Sequence, residues 1–328
     1  MKEQRIALAQ GRWTLEKFDL RRYLPSLIRW FVLVGLVVVL TILNEYFFTW
    51  NNIINVLRQA TILTIVSVGL TTVLLTGGMD LSVGGTMALV GCLAAQLMKA
   101  GVPIPLAVVI GLAAACLVGL LNGILVGTLD LPPFVATYGT YWITEGAAMI
   151  LMRGAIIFGL PRSFRIVGTG YVGAIPVPVI ITAVLIVLGH LFLTKTAAGR
   201  DIYFVGSNRD AAYYSGVRVR KTLLSVYVFS ALMAGIAGLI MTARLDAAQA
   251  GMGQPFVLQG VAAVIMGGTS RIGGEGGIPG SVIGAMILTL VVNGMNLLGV
   301  SSLAQTLVVG LVILFAVGLD QLRLRWTD

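Results

Sequence analysis

Asp80, Asn122, Glu145, Asn293 and Asn296 stand within or between long apolar runs, and their types limit the chemistry this chain can do. Asp80 lies in T-G-G-M-D-L-S-V-G-G, Thr76 to Gly85. A carboxylate between two glycine pairs can ligate a solute or ion, because carboxylates inside a bilayer are costly and usually functional. Asp80 or Ser82 can equally cap the helix that follows, with Gly77 and Gly78 allowing the tight turn. Glu145 is the one carboxylate well inside an apolar segment. Arg153 follows about two helical turns later, roughly 12 Å away, which is too far for a direct pair. Glu145 therefore needs another partner, water or a proton. Asn293 and Asn296 are three apart and share a helix face. With Asn122 they can line a path for a neutral polyhydroxylated solute, giving donors and acceptors without charge. They can also serve as hydrogen bonds between helices.

Other chemistries find little support. Cys92 and Cys116 sit in apolar runs and read as packing residues, not as a disulfide or metal pair. One histidine, His190, cannot make a metal site, and no metal or cofactor is expected. The phosphate-cradling pattern G-x-x-x-x-G-K-[ST] is absent from the chain, so any nucleotide hydrolysis belongs to a partner. The glycine-dense stretch Met266 to Ser281 reads as a tight turn and weakly echoes Thr76 to Gly85.

The elements that position these groups follow from composition. Of 328 residues, 58% are hydrophobic and 11% charged, far from the roughly 25% charged typical of soluble domains. The apolar runs are long and do not alternate, which predicts an all-α integral membrane protein. The 41 glycines suit close helix packing in lipid. Ten apolar segments can be drawn, at 27–44, 59–77, 82–99, 103–127, 134–152, 174–193, 222–243, 255–268, 278–297 and 303–321. The eighth is short and reads as a broken or re-entrant helix. Pro103 and Pro105 open the fourth segment, Pro132 and Pro133 the fifth, and Pro279 the ninth, since proline suits a first helical turn.

With both termini in the cytoplasm, 16 of the 22 Lys and Arg residues fall inside and six outside: Arg58, Lys99, Arg153, Arg162, Arg165 and Arg244. This bias predicts ten spans, N-in and C-in. It gives a cytoplasmic segment 1–26, a membrane domain 27–321 and a cytoplasmic tail 322–328. The net charge of +9 is explained by that bias, so no nucleic acid is expected as a partner, and membrane lipid is.

One polar island remains, Thr194 to Thr222, carrying six of the Lys and Arg residues. Its middle, Asn208 to Ser215, predicts a short amphipathic helix ended by Gly216. The small residues Ala211, Ala212, Ser215 and Gly216 would let a partner approach closely. A basic loop that only touches phospholipid is the plainer reading.

Four stretches in order carry a family resemblance: G-G-M-D-L-S-V-G-G at 77–85, G-R-D-I-Y-F-V-G-S-N-R-D-A-A-Y-Y-S-G-V at 199–217, A-A-V-I-M-G-G-T-S at 262–270 and N-G-M-N-L-L-G-V-S at 293–301. They resemble the ribose/xylose/arabinose-type permeases of bacterial ABC importers, with branched-chain amino-acid permeases as more distant kin. The resemblance implies a non-catalytic inner-membrane subunit that moves a monosaccharide by alternating access. It implies a second permease subunit, identical or similar, a cytoplasmic ABC ATPase, and a periplasmic or lipid-anchored solute-binding protein. It also implies a coupling helix that docks on the ATPase, mapping to Gly199, Arg200, Asn208, Ala211, Ala212, Ser215 and Gly216. Residues 153–173, outside in this topology, match no pattern and can contact the binding protein. Another solute on the same scaffold, such as an amino acid, stays open, as does a stand-alone carrier.

Overall fold

The computed structural model describes residues 20–327; residues 1–19 of the expected cytoplasmic segment and Asp328 of the tail lie outside the described residues. Each of the ten apolar segments is a helix. They are α1 (Leu20–Leu43), α2 (Trp50–Leu75), α3 (Val83–Lys99), α4 (Ile104–Gly127), α5 (Pro133–Met152), α7 (Val177–Lys195), α10 (Val219–Leu245), α11 (Gln254–Met266), α12 (Ile278–Leu297) and α13 (Ser302–Thr327). Between them lie the shorter α6 (Arg162–Thr169), α8 (Ala197–Ser207) and α9 (Arg209–Tyr214). Two antiparallel ribbons complete the described residues, β1 (Ile157–Phe158) with β4 (Ala247–Ala248), and β2 (Tyr171–Val172) with β3 (Ile175–Pro176).

Among the described residues, five helices are long and apolar enough to cross a membrane: α2, α4, α7, α10 and α12. Helix starts follow the prolines. Pro103 and Pro132 sit at N-caps, and the first turns of α4, α5 and α12 carry proline. The missing N–H is no loss there, because the first four amides of a helix lack partners anyway.

α2 and α10 form the centre and are largely buried, whereas α4 and α7 turn mostly outward. α10 packs on α4, α2 and α3. Its seam with α4 depends on small residues. A Cβ at Gly119 would lie 2.6 Å from the Tyr227 carbonyl oxygen, and one at Gly123 would lie 2.7 Å from the Leu224 Cα. In lipid, where no hydrophobic force drives helices together, such backbone proximity supplies the van der Waals contact that holds them.

The eighth segment is indeed short: α11 has 13 residues, about 20 Å of helix against a hydrocarbon core of about 30 Å. A second interruption lies at residues 76–82, where α2 stops and a non-helical turn leads to α3. Asp80 and Ser82 there are fully buried. Non-helical backbone at such a site is tolerated because the protein itself satisfies it.

The basic residues sort to two ends. At one end Arg29 donates to the Gly267 carbonyl, and Arg209 pairs with Asp130 at 2.8 Å. At the other, Lys99 donates to the Gly159 carbonyl, Arg165 pairs with Asp246 at 3.1 Å, and Arg244 donates to the Arg58 carbonyl. Along α2, Arg58 and Leu75 are separated by about 26 Å of helix axis.

Candidate functional site

The polar island folds into two helices, not one. Thr196 caps α8, its hydroxyl accepting from the Gly199 amide at 3.0 Å. That threonine was the available sign of a helix start. Asn208 then ends α8 and starts α9, its Oδ1 accepting from the Ala211 amide at 2.9 Å. Gly216 adopts φ +85° directly after α9. The Val217 amide reaches the Ala212 carbonyl and the Gly216 amide reaches that of Tyr213, each at 3.0 Å. This paired closure satisfies carbonyls the helix end would otherwise leave free.

α8 anchors the island. Gly206 faces the Leu75 carbonyl and the Gly274 amide so closely that a Cβ would collide with both. The Gly274 amide donates to that same Leu75 carbonyl at 2.9 Å. Gly273 (φ +104°) lies against both Gly77 and Gly206. The Tyr203 hydroxyl donates to the Gly276 carbonyl at 3.0 Å, and burial pushes its phenol pKa up. The two glycine-rich turns that echo each other in sequence therefore meet here, under α8. On the α9 side the exposed Arg209–Asp130 pair adds a tether worth about 1 kcal/mol or less.

Of the expected contact residues, Arg200, Asn208, Ala211, Ser215 and Gly216 are exposed. Gly199 and Ala212 are buried. Ala212 packs with Val205, Val219 and Leu223, so it positions α9 and presents nothing to a partner. The prominent side chains lie outside the expected set: Tyr213 is 68% exposed and Tyr214 86%, in edge-to-face contact with each other. Two adjacent aromatics in a polar stretch were the signal for them.

The Asp80 turn is tied into the bundle and does not cap α3 as expected. Ser82 is the N-cap residue, but its side chain makes no capping bond. Asp80 Oδ1 accepts from the Ser82 amide at 3.0 Å and its hydroxyl at 2.6 Å, and Oδ2 accepts from the Ser230 hydroxyl at 2.8 Å. Asn122 donates to the Ser82 hydroxyl oxygen at 2.8 Å. α4 and α10 thus both hold the turn. The reason is burial: a carboxylate this deep needs donors from wherever they come. Gly77 takes φ +72°, as the expected turn requires.

The remaining polar residues separate. Asn293 and Asn52 exchange amide hydrogen bonds of 3.1 and 3.0 Å in a buried pair. Asn296 is exposed and accepts from Gln305 at 2.8 Å. A shared face in sequence became one buried and one exposed amide. Both Glu145 oxygens are buried beside the Gly251 backbone without a hydrogen bond of good geometry.

The stretch from residue 52 to 317 matches the family described as branched-chain amino acid transport system / permease component. The chain belongs to this family. It is 41% identical to the ribose import permease protein RbsC of Bacillus subtilis, over 87% of this chain and 89% of that one. It is 37% identical to RbsC of Haemophilus influenzae, over 92% and 95%. It is 38% identical to the D-allose transport system permease protein AlsC of Escherichia coli, over 85% and 86%. No solved structure matches the chain significantly.

Proposed function

We propose that this chain is the membrane permease subunit of an ABC importer, moving a monosaccharide across the bacterial inner membrane. The observation that carries this reading is α9: a capped surface helix with exposed Tyr213 and Tyr214, seated through α8 on the end of α2 and the turn before α12, and tethered by Arg209 to Asp130 after α4. A small exposed helix with rigid footing can pass a push from a cytoplasmic ATPase into the bundle. Likeness to ribose and allose permeases supports the sugar.

In this reading all ten apolar segments 27–321 cross or enter the membrane, with both termini and the loop 194–222 in the cytoplasm. Sorting of the Lys and Arg residues to two ends supports that orientation. A second permease subunit completes the path. A periplasmic or lipid-anchored solute-binding protein delivers the sugar at the end carrying Arg58 and Arg244. Outward apolar side chains such as Phe31, Ile42, Val109, Leu117 and Ile150 face lipid or that second subunit. Arg200, Asn208, Ala211, Ser215 and Gly216 surround the docking surface, while Gly199 and Ala212 set its shape. Asn122, Asn293 and Asn296 contribute to the path only if their present hydrogen bonds open during alternation.

The test is reconstitution of the permease with its ATPase and binding protein in proteoliposomes. Uptake of D-ribose, D-allose or D-xylose that requires ATP is expected. Uptake by this chain alone, without ATP, overturns the reading.

A further inference from the structure

A cavity of about 370 Å³ opens at the start of α2, at the end of the molecule opposite the island. Trp50, Asn51, Asn55 and Arg58 line it from α2, and Tyr171 and Gly173 from the β2–β3 ribbon. We propose that this cavity is a low-affinity entry site for a neutral monosaccharide within the permease itself; the proposal rests on the sugar-importer reading above.

The chemistry of the lining carries it. Trp50 and Tyr171 are 64% and 52% exposed, giving two aromatic surfaces where the C–H face of a sugar ring can lie. Asn51 and Asn55 are four apart on one helix face and both exposed, so their amides offer paired donors and acceptors to neighbouring hydroxyls. Arg58 lies one further turn into α2. Its guanidinium carbon sits 5.1 Å from the Tyr171 ring centroid, so the ring orients it. Its Nε is buried without a hydrogen-bond partner, and no carboxylate among the described residues pairs with it. A planar donor held in place without a partner suits oxygen pairs on a ligand. No carboxylate lines the cavity, and Arg58 is its one charged group. That set disfavours a cation, and its two amides and two aromatic surfaces match the hydroxyls and C–H face of a sugar; the choice of a neutral sugar over an anion comes from the sugar-importer reading.

Size and depth agree. Small-molecule sites span roughly 300–1,000 Å³, so this one takes a single sugar with bridging water. Asn52 of the buried Asn52–Asn293 pair follows Asn51 directly on α2. A sugar released in the cavity would lie at the mouth of the largely buried helix α2.

The test uses the permease in nanodiscs and in the full reconstituted importer. Saturation-transfer NMR with millimolar D-ribose, D-allose and D-xylose should show transfer to wild type. Transfer should fall at least about fivefold in N51A/N55A, the loss expected from one or two hydrogen bonds. W50A should reduce transfer from the ring protons. In the importer, N51A/N55A should raise the sugar concentration at half-maximal uptake while ATP-free ATPase assembly is unchanged. Equal transfer in wild type and both variants overturns the entry site while ATP-driven uptake still supports the transport reading. Loss of uptake in N51A/N55A with unchanged transfer also overturns it, assigning the cavity to contact with the delivering protein. Absence of ATP-driven uptake for all three sugars in wild type removes the transport reading, and the entry site with it.

Discussion

The Ser230 hydroxyl on α10 donates to Asp80 Oδ2 at 2.8 Å, joining positions 150 residues apart. Through Ser82 and Asn122 the same carboxylate also reaches α4. The break between α2 and α3 is therefore held from two sides. Asp80→Leu would leave the Ser82 and Ser230 hydroxyls buried without their acceptor, at about 1–3 kcal/mol each. Ser230→Ala strands one buried group, Asp80 Oδ2, where D80L strands two hydroxyls, and should cost about 1–3 kcal/mol. Thermal unfolding in detergent should rank wild type above S230A, and S230A above D80L. A D80L variant as stable as S230A would mean that the carboxylate is not the organising group.

Gly206 is the close-packed seat of the island. A side chain there must displace the Leu75 carbonyl or the Gly274 amide. Gly206→Val should preserve membrane insertion and lower ATP-driven uptake by more than about tenfold, the effect of 1.4 kcal/mol or more on coupling. Gly216 gives the contrast, since nothing lies within 4 Å of a Cβ there and its restraint is φ +85° alone. Gly216→Asn should be tolerated, because asparagine accepts the left-handed region. Equal uptake by G206V and G216N would remove the seat from the argument.

Tyr213 and Tyr214 test docking without disturbing the core. Both are exposed, so the double alanine variant should change stability by about 0.5 kcal/mol or less. Uptake should nevertheless fall, and co-purification of the ATPase subunit should weaken. Full uptake with intact ATPase binding would place the contact elsewhere on the island.

The Asn52–Asn293 clasp is a pairwise interaction suited to a double-mutant cycle. Such bonds in membranes average about 0.6 kcal/mol, with a maximum near 1.7. Asn293→Leu should cost more than that, because it strands the Asn52 amide in a buried site. The N52L/N293L pair should recover part of the loss. A double variant no better than the sum of its singles would show that the clasp contributes no coupling.

Orientation can be read with a membrane-impermeant thiol reagent on a variant lacking Cys92 and Cys116. S215C should be labelled only when the cytoplasmic face is open to reagent, and G173C in intact spheroplasts. The reverse pattern would invert the topology.

The sequence by itself determined a helical membrane chain, its ten apolar segments, their proline starts, the family and the island. These depend on local periodicity, turn chemistry and composition, which neighbouring residues carry. Only the tertiary structure decided what each polar residue does. Asp80 meets Ser230, Asn293 meets Asn52, and Gly206 meets Leu75 across long sequence separations, so no local pattern names the partner. Burial likewise divided neighbours in α9, turning Ala212 inward and leaving Tyr213 and Tyr214 outside. A helix face is readable from spacing, but which side the rest of the chain covers is set only when distant helices pack.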